Sequence, residues 1–224
     1  MIKQLYKIFQ HWSDGKSVWI FSDSHFTGIN TSANKGALID SDEIKMRKLF
    51  NYAPDEVIIE NINKRVGKHD TLIILGDCGD PEVFKHIKGD YKVLIKGNHD
   101  AGSANYENYF DEIYSGILAI SDKVILSHEP LVKELKERGL FNICGHIHNQ
   151  FEIDDLHKEG YNNFLCISAN LHNYEPINLG DLFNRKGEFK DFTGLSECQG
   201  IHRVIIDHAI ERKRKRSLGE FEIR

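Results

Sequence analysis

The sequence lacks the features that would place it in several large classes. Its four cysteines, Cys78, Cys144, Cys166 and Cys198, form no CxxC pair. Three of them sit in or beside apolar runs, the pattern of buried reduced thiols rather than of a disulfide framework or zinc knuckle. No uncharged apolar run approaches the roughly 18 residues that a membrane helix requires. The opening segment, MIKQLYKIFQHW, has Lys3 and Lys7 inside its apolar pattern and no small-residue cleavage site, so it does not read as a signal peptide. There is no basic excess either. Lys and Arg number 29 against 34 Asp and Glu, a formal charge of −5, which argues against a protein that coats nucleic acid. Internal repeats, low-complexity tracts and clear linkers are absent. The expectation is a soluble, cytoplasmic protein with no membrane partner.

What is present is a globular composition: 224 residues, 40% hydrophobic and 28% charged. A chain of this length makes one domain, with or without a small extension, and buries about 70% of its unfolded surface. Residues 2–12 place Ile2, Leu5, Phe9 and Trp12 at helical spacing, which predicts a short amphipathic helix. Residues 17–22 predict a strand, 24–40 a polar loop and 42–52 a helix. Pro54-Asp55-Glu56 opens another helix, with Val57, Ile58, Ile62 and Val66 on one face. Strands are expected over 71–75, 91–95, 117–120, 123–127, 140–144 and 163–168. Helices are expected over 81–88 and 130–138, with weaker helical segments after 177. Residues 201–216 read as a helix ending in the basic run Arg212–Arg216. That run is read as a solvated helix end whose cations complement the macrodipole, with a polyanion-binding role as the lesser alternative. Strands that are apolar throughout, alternating with helices, imply sheets covered on both faces, hence α/β.

In such folds ligands bind beyond the carboxyl ends of strands. The strand at 17–22 runs into Asp23-Ser24-His25. That at 71–75 leads to Gly76-Asp77-Cys78-Gly79-Asp80, and that at 91–95 to Lys96-Gly97-Asn98-His99-Asp100. The strand at 123–127 ends at His128, and that at 140–144 in Gly145-His146-Ile147-His148. None of these ends carries a nucleophilic Ser or Cys beside a base, or a glycine-rich phosphate loop followed by Lys. Each Asp, Asn or His alone is explained by capping or turn formation. Five strand ends together are not. Oxygen and nitrogen donors without thiolate suit Mn²⁺, Fe or Zn²⁺ better than a structural thiolate zinc. Seven donors are too many for one tetrahedral ion and fit two. The spacing of two in Asp23-x-His25 and in His146-x-His148 puts each pair on one side of an extended chain. Gly76, Gly97 and Gly145 each precede a donor, where glycine permits positive φ and close backbone approach.

These blocks, in this order, resemble the calcineurin-like metallophosphoesterase family, with its DxH, GDxxD, GNH[DE], lone His and GHxH motifs. The interblock distances look like the small single-domain bacterial and phage phosphoesterases. The resemblance covers residues 17–150 and loosens beyond them, with 163–168 similar to a closing strand. It implies a layered αββα sandwich with mixed sheets flanked by helices. The domain would span 17–176, with helical extensions at 1–16 and 177–224. It implies Asp23, His25 and His148 on a first divalent ion, Asn98, His128 and His146 on a second, and Asp77 bridging the two. His99 would face the substrate phosphate as general acid or transition-state stabiliser, oriented by Asp100. Asp80 would support the site or cap the following helix. The ions implied are two Mn²⁺, with Fe, Zn²⁺ or Ni²⁺ as alternatives.

Two dications less the charges of Asp23, Asp77 and a bridging hydroxide leave about +1, ready for a phosphate ester. The expected activity is hydrolysis of a phosphate mono- or diester, a nucleotide among the candidates, by attack of that hydroxide. A nuclease or end-processing phosphatase is the alternative; the basic run favours it and the net charge does not. A non-catalytic scaffold of the same fold is disfavoured because all seven donors and His99 are kept. The remaining histidines (His11, His69, His86, His157, His172, His202 and His208) read as structural.

Overall fold

A computed structural model describes residues 17–28, 41–100, 105–121 and 123–182. The expected helices at 2–12 and 201–216 lie outside these residues. Two sheets lie face to face. The first has the order β4-β3-β2-β1-β9, built from β1 (Val18–Phe21), β2 (Thr71–Ile74), β3 (Tyr91–Ile95), β4 (Glu112–Tyr114) and β9 (Ile177–Asn178). The second has the order β5-β6-β7-β8, from β5 (Leu118–Ala119), β6 (Val124–Leu126), β7 (Phe141–Cys144) and β8 (Phe164–Cys166). β1 to β4 are parallel and β9 antiparallel; β6, β7 and β8 are parallel and β5 antiparallel.

The period-2 alternation of the strands builds the layers. Val18 and Ile20, Ile73 and Leu75, and Val93 and Ile95 face Leu126, Ile143 and Leu165 of the second sheet, all buried in one core. The alternate residues Trp19, Phe21, Leu72, Ile74 and Leu94 pack outward, against Ile58 and Ile62 of helix α2 (Asp55–Arg65). On the far side, Cys144, Phe164 and Cys166 pack under Val132 of α3 (Val132–Lys136) and Ile153 of α4 (Gln150–Lys158). The result is the αββα sandwich. Each such fully buried Ile, Leu or Phe contributes roughly 1.5–3 kcal/mol by leaving water. Helix α1 (Ser41–Leu49) leads through Tyr52 into α2. Among the described residues no helix is long and apolar enough to cross a membrane.

The differences from the expected elements have physical causes. Residues 81–88 form a 3₁₀ turn at Pro81–His86, capped by Asp80, which accepts the Glu82 N–H at 2.9 Å. Val57 is 42% exposed, so the buried face of α2 is Ile58, Ile62 and Val66, spaced at one helical turn without it. The segment after 177 begins as strand β9, followed by a 3₁₀ turn at Leu179–Leu182 that feeds the inter-sheet core. Two elements go beyond the expectation. β4 is half-buried and held by the Glu112 carboxylate, which accepts from the hydroxyls of Tyr91 and Tyr114. α4 buries Ile153, packs half-buried Leu156 beside it and exposes Phe151, so its apolar stripe is short. Its signal is instead the cap: Asn149 accepts the Glu152 N–H at 2.9 Å.

Candidate metal centre

The topology gathers the carboxyl ends of β1, β2, β3, β6 and β7 along one edge of the sandwich. The ends of β1 and β8 meet there through the parallel bridge between Ser22 and Ser168, which ties the two sheets together. Loops from both sheets can therefore share one site.

Two groups of side chains form within it. Asp23, His25 and His148 are all buried, and one donor atom of each lies within 4.8 Å of the others; donor atoms of Asp77, His128 and His146 also lie within 4.8 Å of one another, with Asp77 and His128 buried and His146 exposed. In the first group, His25 Nε2 lies 3.3 Å from His148 Nε2, and His148 Nε2 is 3.5 Å from Asp23 Oδ1. In the second, Asn98 Oδ1 is 2.8 Å from His128 Nε2 and 3.1 Å from His146 Nδ1. The Asp77 carboxylate stands between the groups: its Oδ2 lies 3.3 Å from His128 Nε2 and 4.0 Å from His25 Nε2.

The outer ring atoms fix which nitrogens face inward. His128 Nδ1 donates to the Leu75 carbonyl at 2.8 Å, which leaves Nε2 as the inward atom. His148 Nδ1 lies 3.2 Å from Asn170 Oδ1, and Asn170 also donates to the His148 carbonyl at 2.6 Å. The Asp23 carboxylate is held by the His146 N–H at 3.0 Å and the Ser168 hydroxyl at 3.0 Å.

The electrostatics ask for positive charge at this point. Burial pushes His128 down, but its hydrogen bond to Asp77 and the charges of Asp23 and Asp77 outweigh it and lift it to about 9. Burial would raise Asp77; the His128 bond and charge, His25 and the His99 N–H together hold it at about 2. A buried carboxylate that is kept charged and convergent nitrogen and oxygen donors without thiolate fit divalent cations. The metal-binding reading therefore agrees with the donor chemistry.

The backbone that delivers these donors is not extended. Asp23, His25, Asp77 and His146 have φ of 55°, 45°, 50° and 69°. Left-handed backbone at non-glycine residues costs roughly 1–2 kcal/mol each and clusters at functional sites. Asp23 and His25 share a group as the two-residue spacing suggests, but His146 and His148 do not. The left-handed turn at His146 sends it to the second group, while His148 joins the first. Of the three glycines, only Gly76 (φ 85°) needs the left-handed region. Gly145 is required for space, since a Cβ there would lie 1.9 Å from Ser22 Oγ and 2.2 Å from Asp23 Oδ2.

His99 is half-buried, its ring centroid 5.7 Å from that of His25 and its N–H donating to Asp77 Oδ1 at 2.9 Å. Asp100 departs from the expectation that it orients the His99 ring. Fully buried, its carboxylate accepts from the backbone N–H groups of Asp77 (2.7 Å), Cys78 (2.9 Å) and Gly97 (2.9 Å). It braces the loops that carry Asp77 and Asn98. Burial pushes its carboxyl up, against the pull of those donors.

Sequence reasoning missed a supporting shell. Tyr52 donates its hydroxyl to the Asp23 carbonyl at 2.8 Å and lies 3.1 Å from His148 Nδ1. Arg47 donates to the His25 carbonyl at 2.9 Å while paired to buried Asp55 at 2.8 Å. Ser168 and Asn170 come just after strand β8 (Phe164–Cys166), so the strand-end rule extends to them. Tyr52 and Arg47 carry no such signal.

The sequence profile of the calcineurin-like phosphoesterase family matches residues 16–168. Among solved structures, a crystal structure of a protein of unknown function, AQ665 from Aquifex aeolicus, is similar at 24% identity with a TM-score of 0.56, covering 74% of this chain and 97% of that one. At that identity the likeness shows the fold alone. No curated protein matches the chain significantly.

Proposed function

Since the chain belongs to the calcineurin-like phosphoesterase family, we propose that it is a dinuclear metal-dependent hydrolase of phosphate esters. The observation that carries this is the pair of donor groups with the Asp77 carboxylate between them. When bound, two divalent ions, Mn²⁺ foremost, would supply a hydroxide nucleophile at neutral pH and neutralise charge on the phosphoryl oxygens.

The chain's own residues do the rest. Asp23, His25 and His148 would hold the first ion, Asn98, His128 and His146 the second, and Asp77 both. The Ser168 hydroxyl that donates to Asp23, and the Asn170 amide oxygen that accepts from His148 Nδ1, hold Asp23 and His148 in place before any ion arrives, the kind of support that raises affinity by prior ordering. His99 stands over the first group with its backbone fixed by Asp77. From there its ring can give a proton to the leaving oxygen, a contribution of roughly 10²–10⁴ in rate. Asp100 is a positioning residue.

The test is a metal-reconstitution screen. Chelated protein, shown metal-free by elemental analysis, should be inactive toward p-nitrophenyl phosphate, bis-p-nitrophenyl phosphate and a nucleotide panel. It should regain activity with Mn²⁺ as two equivalents bind. Full activity without metal, or saturation at one equivalent, would overturn the dinuclear reading.

A further inference from the structure

Strand β7 carries one polar side chain among apolar neighbours. All four of its residues are buried, and Asn142 has no exposed surface. Phe141 and Ile143 lie in the core between the sheets, and Cys144 packs in the layer beneath α3 and α4. Strand alternation puts Asn142 on that second face, beside Cys144. Asparagine is a poor strand former, and a buried amide is costly unless it is bonded.

The bonds of Asn142 go to the segment around His128. Its Oδ1 accepts the Leu131 N–H at 2.7 Å. Its Nδ2 donates to the Ser127 hydroxyl at 2.9 Å and to the Ile125 carbonyl at 3.2 Å. The Ser127 hydroxyl in turn donates to the Glu129 carbonyl at 2.6 Å.

The turn from Ser127 to Leu131 depends on these bonds. Among the described residues no backbone hydrogen bond joins one part of that turn to another. Pro130 offers no N–H, and Leu131, at the start of α3, brings no capping side chain. One amide therefore fastens both ends of the turn. The His128 carbonyl accepts the Gly145 N–H at 2.9 Å, so β7 grips the turn a second time, just before His146. A single strand thus sets His128 in register with His146, whose Nδ1 lies 3.2 Å from His128 Nε2.

We propose that Asn142 is a positioning residue for the second donor group, clamping the 127–131 turn to β7 so that His128 Nε2 meets Asn98 and His146; this rests on the dinuclear reading above. Ser127 is the relay in the clamp. The first group is braced elsewhere, by Ser168 and Asn170, so loss of the clamp falls on one ion.

The test is Mn²⁺ binding followed by electron paramagnetic resonance in wild type, Asn142→Leu and Ser127→Ala. Leucine keeps the volume of Asn142 and strands the Leu131 N–H; Ser127→Ala is milder and removes only the relay. At a Mn²⁺ level that gives the signal of a coupled pair in the wild type, Asn142→Leu should give that of an isolated ion. Its affinity for the second ion should fall by about 10–100-fold, and for the first by less than about threefold. Ser127→Ala should show the same selectivity with a smaller loss. Excess Mn²⁺ should restore the pair in Asn142→Leu, where every donor remains, and not in His128→Ala. In metal-free Asn142→Leu, hydrogen exchange should quicken at the Leu131 and Gly145 amides and not at Ala169, beside the first group. Ile62→Ala, a core truncation in α2, should lower the melting temperature and keep both ions. Two ions bound by Asn142→Leu as tightly as by wild type, equal weakening of both, or the same loss in Ile62→Ala would overturn the proposal. If Asn142→Leu fails to fold, the selectivity in Ser127→Ala decides it. A wild type that saturates with one ion would instead overturn the dinuclear reading itself.

Discussion

Asp100 gives the sharpest test of how the centre is held. Its carboxylate is fully buried and accepts three backbone N–H bonds, from Asp77, Cys78 and Gly97. Asp100→Ala strands all three donors in the interior. At roughly 1–3 kcal/mol for each unsatisfied group, the loss is about 3–9 kcal/mol, a large part of a typical domain's stability. Asp100→Asn is milder. Its oxygen can keep the two bonds that Oδ2 accepts, while its amide nitrogen faces the Cys78 N–H, for a loss of about 1–3 kcal/mol. Asp77 sits at φ 50° with its N–H on Asp100, so loosening that bond also frees the shared carboxylate. Affinity for the ions should fall by about 10–100-fold, as for other groups that support a ligand. Urea denaturation of the metal-free protein reads the first effect, and a Mn²⁺ titration followed by electron paramagnetic resonance reads the second. If Asp100→Asn keeps its stability within about 0.5 kcal/mol and binds both ions as tightly as wild type, while kcat alone drops, Asp100 acts on the His99 ring after all and the bracing role is refuted.

His99→Ala should retain two equivalents of metal by elemental analysis and lose roughly 10²–10⁴ in kcat, less for a p-nitrophenyl ester than for an alkyl ester; loss of metal would make His99 a ligand. Gly145→Ala should abolish the first ion's binding, because its methyl would occupy the space of Ser22 Oγ and Asp23 Oδ2; a titration showing both ions bound normally would refute that packing. Tyr52→Phe should cost about 1 kcal/mol in a thermal melt, from the lost bond to the Asp23 carbonyl, and an unchanged melting curve would contradict it. His172 supplies a pH dependence. Burial holds it below its ordinary value, against its bond to the Cys166 carbonyl. Below about pH 6.5 the unfolded chain therefore binds a proton that the folded chain refuses. Stability is intact above that pH and falls as pH drops, by up to about 1.4 kcal/mol per pH unit. His172→Gln should flatten the acid limb of stability against pH, and an identical slope in the two proteins would show that His172 is not the group responsible.

The sequence by itself determined the layers and the place of the centre. Near-continuous apolar runs in Val18–Phe21, Thr71–Ile74 and Tyr91–Ile95 dictate sheets covered on both faces, and the polar residues just past each run are fixed by chain connectivity at one edge. The Asp80 cap was legible for the same reason: its partner is two residues away. Where contacts come from afar, the residue pattern alone was silent. The motif resemblance implied that His146 and His148 part company, but the cause is a single left-handed residue, φ 69°, whose turn is held by Asp23, 123 positions earlier. Asp100 reads like a partner for its neighbour His99, yet folding sets its carboxylate against Asp77 and Cys78, more than twenty positions away. Tyr52 and Arg47 follow no strand and match no motif; only the packing of the segment before α2 against the β1 loop makes them part of the site. Donor chemistry is local and survives in the one-dimensional string, whereas the grouping of donors is set by backbone dihedrals and by strands brought together only on folding.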